Sequence, residues 1–455
     1  MKAARKQAIY EAAYQAVVRN AAEREKLTDE VSLEAYRHLT RQGSHGRLWT
    51  QALQTALREH QKIIIPAAEE VYWLDETVVI PSDRIIEATG AVIRLVPEFP
   101  YIMLRNEHTH DGTHAPINTG DRDRNITIHG GSWEEGCTKR GLRRYGADVP
   151  DFKGVQTCML FNNLDHLTMT DVHFGGATSF CVQVGDLTYG VFENFGFTDC
   201  YADGLHVNGN CENLFIRNFS GHVGDDLVAL NMYDWLGSSI NYGPAKNIFC
   251  ENIHCPEDSF IKAMRLQPGI FIYDDGTAID CAIEDVYIRH LSGIFEYKLY
   301  LQTPPYRLGE TPESGGVGSA NNLFFEDVAV PFERRWYPAA NRCIGMFHIN
   351  SNIGYLSLED IRATRPENDN PNNYLIAVGP LGHLNGQVEI FDPYASATVD
   401  TLELANISIN GDRISDVDRL VKTVEFDDVN KDGFSSGKGK INHIILDGKP
   451  ATLNN

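Results

Sequence analysis

The chain has 455 residues, 42% of them hydrophobic, with 39 glycines and a formal charge of −22. That apolar content supplies a large core and excludes a disordered chain, and the acidic balance argues against nucleic acid, whose phosphates need a basic surface. The length allows two ordinary domains or one elongated solenoid, and no apolar stretch reads as a membrane span.

The opening segment, MKAARKQAIYEAAYQAVVRN, has neither an uninterrupted apolar run nor a small-residue cleavage site. It reads as an amphipathic helix and not a signal peptide, which implies a cytoplasmic protein. Helical periodicity extends from about Ala3 to His60, with Ile9, Tyr10, Ala13, Val17, Leu53 and Leu57 at three- and four-residue steps. Residues 1–60 are therefore predicted to form a helical cap at one end of a catalytic domain spanning residues 61–455. From Lys62 to Pro97 the pattern changes to short apolar runs broken by Pro, Asp and Gly, the grammar of strands and turns. Nine cysteines, scattered without close pairs or zinc spacing, fit reduced and mostly buried thiols.

Repetition follows: NITIHGGSW at Asn125, HLTMTDVHF at His166, YGVFENFGF at Tyr189, NLFIRNFSG at Asn213 and NIFCENIHC at Asn247. Units at His166, Tyr189 and Asn213 begin 23 and 24 residues apart, and later ones recur at Cys281, Asn322, Tyr355 and Thr401. Each is a strand, an Asn- or Asp-bearing turn and a second strand, with no helical half. That unit predicts an all-β parallel β-helix, in which every coil buries its inward face against its neighbours.

Within the stack, ADG and GDD fall at matching points of two successive turns in YADGLHVNGNCENLFIRNFSGHVGDDLVALN, Tyr201 to Asn231. Asp203 precedes Asp225 by 22 residues and Asp226 by 23, and adjacent coils are separated by roughly 5 Å. Three carboxylates can thus meet on one outer face, where mutual repulsion raises the proton affinity of at least one of them. An acid and a base at one pH suit glycosidic bond hydrolysis. Consecutive strand residues point to opposite faces, so Asp225 and Asp226 can share a cleft only if a bend or bulge, for which Gly224 offers a place, interrupts the strand. The competing account makes DG and GDD plain turn residues.

These motifs resemble those of glycoside hydrolase family 28, the polygalacturonase group of right-handed β-helix enzymes. The family's NTD and DD motifs correspond to Tyr201-Ala202-Asp203 and Asp225-Asp226, and QALQTALREHQKIIIPA, Gln51 to Ala67, is similar to its opening helix and strand. The similarity runs from about residue 50 to 360. It implies a right-handed β-helix, Asp225 as general acid, and Asp203 with Asp226 activating water to give inversion; no cofactor and no metal are expected. Adjacent-coil geometry leans instead towards the roughly 5–5.5 Å spacing of retaining enzymes.

Two family features are missing. No GHG follows GDD, and FIKAMRLQPG offers Lys262 and Arg265 where a histidine is expected; no RIK is present, and the comparable coil, EYKLYLQTP, offers Lys298 and Gln302. The expected substrate is therefore not polygalacturonate but a neutral or partly charged glycan, or a short imported oligosaccharide cut from one end. His206 and His222 flank the acids and could orient a sugar or a carboxylate, or serve as structural hydrogen-bonders. Asn231, Tyr233, Asp234 and Trp235 close the GDD coil, where an aromatic ring could stack on a sugar or pack in the core.

Other candidates are weaker. His108, His110, Asp111 and His114 match no zinc spacing and read as a solvated loop. DVNKDG at Asp428 begins like a calcium loop but has Gly439 where a bidentate Glu is required. The surface permits a homo-oligomer without specifying one. Two rivals to hydrolysis stand: a β-helix polysaccharide lyase using Lys262, Arg265 or Lys298 as base, and a non-catalytic glycan-binding β-helix.

Overall fold

The structure, a computed structural model, describes residues 2–97, 102–114, 120–140, 157–234, 238–299, 316–332, 344–367, 373–379, 381–384, 388–391, 396–425 and 438–454. It is a right-handed parallel β-helix, with nearly all pairings in its large sheet parallel and made between successive coils. Trp235, Gln302 and the DVNKDG segment lie outside the described residues.

One repeating motif explains the local geometry. In NLFIRN the two Asn residues, Asn213 and Asn218, take left-handed backbone angles of φ 58° and 59°, which Asn tolerates better than most residues. Asn247 and Asn252 do the same one coil later, at 57° and 54°. The corners then stack into a ladder: Asn218 donates to Asn194 at 2.7 Å, and Asn252 donates to Asn218 at 2.9 Å. Between the corners, Leu214 and Ile216 point into the core while Phe215 points outward. Register places Phe215 beside Phe249, then Tyr287, then Phe324, so the outer face carries an aromatic column.

Helix α1 (Lys2–Arg24) covers that column. An α-helix advances about 5.4 Å per turn and parallel coils about 4.8 Å, so residues three or four apart meet successive coils. Lys6 pairs with Glu326 and Glu359, Tyr10 meets Phe249 edge-on at 5.0 Å, and Asn20 donates to the Leu167 and Tyr189 carbonyls. The helix therefore lies lengthwise along the flank and not at the end where a cap was expected. Its stripe of Ile9, Ala13, Ala16 and Asn20 is buried by this contact.

The end itself is closed by α2 (Thr50–Glu59), whose Ala52, Leu53, Ala56 and Leu57 are buried. Gln54 exchanges two 2.8 Å hydrogen bonds with the Val79 backbone, satisfying groups that an open sheet edge would leave exposed. At the far end, Lys449–Ala451 folds back antiparallel on Gly439–Leu446.

The strands that present the site are short: β1 (Leu205–Val207), β2 (Asp226–Asn231), β3 (Ala263–Gln267), β4 (Glu296–Leu299) and β5 (Ile344–Ile349). Their inward side chains, among them Leu205, Val228, Met264, Tyr297 and Phe347, belong to the core. The outward positions align as Gln183, His206, Ala229, Arg265, Lys298 and His348. Although they face away from the core, His206, Arg265, Lys298 and His348 are all buried, so other segments cover this face.

Candidate active site

The three aspartates meet as the spacing requires: one oxygen from each of Asp203, Asp225 and Asp226 lies within 4.8 Å of the others. Asp203 sits in the turn before β1, and its Oδ1 accepts the Asp226 N–H at 3.1 Å, which ties the two turns together. The irregularity that aims Asp226 outward falls later than expected. Pairing between β2 and β3 slips by one residue between Asp226 and Val228, so Leu227 and Val228 both enter the core while Asp226 joins the outer face. Gly224 serves close approach: a Cβ there would lie 2.4 Å from the Tyr201 carbonyl.

Two cations from the next coils lie against the acids. Lys298 Nζ is 2.9 Å from Asp226 Oδ1 and 3.2 Å from Asp225 Oδ1, and Arg265 Nε is 2.8 Å from Asp226 Oδ2. A third, Arg140, reaches Asp225 at 3.1 Å from a turn 85 residues earlier. Side-chain exposure separates the acids, since Asp225 retains 20% and Asp226 only 1%.

These neighbours drive the two proton affinities apart. Burial pushes the Asp225 carboxyl up, but Lys298, Arg265 and Arg140 outweigh it and hold the group well below the usual carboxylate range. For Asp226, burial dominates; Arg265 and Lys298 oppose it, Asp225 and Asp203 reinforce it, and the carboxyl rises to about 7. The pair thus divides into a readily ionised Asp225 and an Asp226 that keeps its proton to much higher pH.

Behind the acids, His206 bridges two carboxylates, with Nδ1 2.6 Å from Asp203 Oδ2 and Nε2 3.1 Å from Asp234 Oδ2. Phe180 stacks on the ring with centroids 3.9 Å apart. Asn231 donates to Asp234 at 3.1 Å. Burial works against the imidazolium, but hydrogen bonds to both carboxylates outweigh it and raise the group to about 9. His206 is 1% exposed, and its ring lies between Asp203 and Asp234.

Other expected site residues have their own partners. His222 faces away to Asp258 at 2.8 Å. Tyr233 is buried, its ring packed against Tyr242 and Phe271, so it belongs to the core and not to a sugar platform. Lys262 is 3% exposed, and its carbonyl accepts from the N–H groups of Phe295 and Glu296. His108 is held by Asp123 at 2.8 Å, apart from the acid cluster. Two members escaped the sequence as partners of the cluster. Arg140 carries no local signal, and Asp234 read only as one of several loop residues.

No family model matches the chain, and no curated protein matches it. Among solved structures it is similar to an exopolygalacturonase from Thermotoga maritima, with 11% identity, 96% of this chain and 99% of that one covered, and a TM-score of 0.53. A family 28 exopolygalacturonase from Yersinia enterocolitica matches with 11% identity over 93% of this chain and 79% of that one, TM-score 0.49. A tailspike protein of E. coli bacteriophage HK620 matches with 12% identity over 84% and 63%, also at 0.49. The likeness is one of fold. No helix among the described residues is long and apolar enough to cross a membrane.

Proposed function

We propose that the chain hydrolyses a glycosidic bond at Asp203, Asp225 and Asp226. The observation that carries this reading is the meeting of three carboxylates within 4.8 Å, with Lys298, Arg265 and Arg140 against the adjacent pair, an arrangement that holds Asp225 ionised and raises Asp226. Two carboxyls pushed apart in this way supply an acid and a base at one pH, as acetal cleavage requires. A purely structural role fits poorly, because buried ion pairs commonly stabilise no better than apolar residues of the same volume.

The resemblance gives the acid role to Asp225. The charge distribution supports Asp226 as the proton holder and Asp225, the member open to solvent, as the ionised partner that receives water or attacks carbon. Inversion comes from the resemblance, whereas oxygens within 4.8 Å of one another favour the closer spacing of double displacement. The anomer first released, read by NMR, separates the two. A neutral or partly charged glycan is supported by the engagement of Arg265 and Lys298 with Asp225 and Asp226. Cleavage from the chain end, expected of a short oligosaccharide, is tested by labelled-end analysis.

The decisive experiment is a screen of aryl glycosides and short neutral oligosaccharides against the parent and Asp225→Asn. Reducing-sugar release that Asp225→Asn lowers by about 10²–10⁴ is expected. An unsaturated, ultraviolet-absorbing product would identify a lyase instead, and binding with no turnover by the parent would identify a non-catalytic glycan binder.

A further inference from the structure

We propose that Asp234 and His206 are positioning residues that hold Asp203 as a fixed, charged carboxylate at the rear of the acid cluster, so that the reactive proton stays on Asp226. The inference rests on the hydrolytic reading of that cluster and adds a second tier of residues to it.

Geometry sets the charge of the ring. Both nitrogens of His206 face carboxylate oxygens, at 2.6 Å and 3.1 Å, and an ionised carboxylate only accepts, so the two carboxylates together favour a ring with hydrogen on both nitrogens. The imidazolium is wedged between Phe180, stacked on its face, and Asn208, whose amide nitrogen lies 3.3 Å from Nε2 and also donates to the Asn231 carbonyl at 3.1 Å. Asp203 is then restrained at both oxygens, Oδ2 by His206 and Oδ1 by the Asp226 N–H. Asp234 is restrained by His206 and Asn231.

The charges around the relay can be named from each packed element. His206 faces Asp203 from its own turn and Asp234 from the loop after β2, with the uncharged Gln183 and Ala229 on the coils to either side. Asp226 faces Asp203 and Asp225 together with Arg265 from β3 and Lys298 from β4. An ionised Asp203 is one of the influences that raise the proton affinity of Asp226. Without the imidazolium, the hold on one Asp203 oxygen is lost, and with it part of the arrangement that keeps the proton on Asp226. The proton then leaves the carboxyl beside Asp225, and Asp226 ionises at lower pH.

The test combines nitrogen-15 NMR of the imidazole in the full chain with pH profiles of His206→Gln and Asp234→Asn. The parent should show a doubly protonated His206 through neutral pH, and Asp234→Asn should lose that state at lower pH. His206→Gln should lower kcat at least about tenfold, leave KM within about twofold, and move the alkaline limb of the profile down by about one pH unit. A neutral imidazole at pH 7 in the parent overturns the proposal whatever the protein hydrolyses. A charged imidazole with an unchanged alkaline limb in both variants reduces the pair to a structural role and also overturns it. If the parent cleaves no glycan, the hydrolytic reading falls separately. Carbon-13 titration of Asp226 then replaces the profile, with an unshifted titration in Asp234→Asn counting against the relay. Asp234→Asn, the milder change, carries the test if His206→Gln does not fold.

Discussion

Replacing Asp226 by Asn tests the charge distribution without any knowledge of the substrate. The side chain keeps its shape but cannot ionise. In the parent, burial raises this carboxyl from 3.8 to about 7, a shift of about three pH units, or about 4 kcal/mol at roughly 1.4 kcal/mol per unit. The folded chain therefore retains a proton that the unfolded chain releases between these two values. Stability derived from that proton is fully present below 3.8 and is lost as pH rises through 7. Between pH 5 and pH 8 the parent should lose about 3 kcal/mol through this group, and Asp226→Asn should not. Asp225 titrates in the opposite sense, but it is present in both proteins and cancels to first order in their difference. Equilibrium urea denaturation at the two pH values measures that difference, which should move in favour of the variant. A difference constant within about 0.5 kcal/mol would refute the assignment of the proton to Asp226.

Three further outcomes follow from the packing and charges. Lys298→Met removes the cation shared by Asp225 and Asp226, so the proton affinity of Asp225 should rise and the acidic limb of the activity profile should move to higher pH. Phe249→Ala empties the centre of the aromatic column beneath α1; about 3–5 kcal/mol should be lost on denaturation, with faster amide exchange in α1 than in the strands around the acids. Asn218→Val puts a β-branched residue at φ 59° and breaks the corner ladder, and a loss of at least about 1–2 kcal/mol in a urea melt is expected.

How much of the site could be read in advance depended on the range of the interaction. Asp203, Asp225 and Asp226 were legible because stacked coils convert a sequence interval of one repeat into a distance of one strand spacing. The cations Arg265 and Lys298 were legible as candidates one or two coils beyond the acids, but the sequence left open whether they wall a pocket or pair with acidic neighbours; the structure pairs them with Asp225 and Asp226. His206 was legible as a neighbour of the acids, but its roles as sugar contact or hydrogen-bonder stayed open, because alternation gives the face of a strand and not what covers that face. Tyr233 could not be assigned to core or cleft at all, since it lies just beyond the regular end of β2, where alternation stops.

The amino-acid order by itself determined the coil: paired Asn residues at left-handed corners, Leu and Ile inward, an aromatic outward, and a period that aligns like with like. These are local preferences repeated often enough to be read without any partner. Tertiary structure alone decided what lies against the outside of the coils. It laid α1 along the aromatic flank instead of over the end, brought Arg140 onto Asp225 from a turn 85 residues earlier, and closed Asp234 and Asp203 around His206. Contacts of that kind join segments with no fixed sequence interval, and the proton affinities of the acids follow from those contacts.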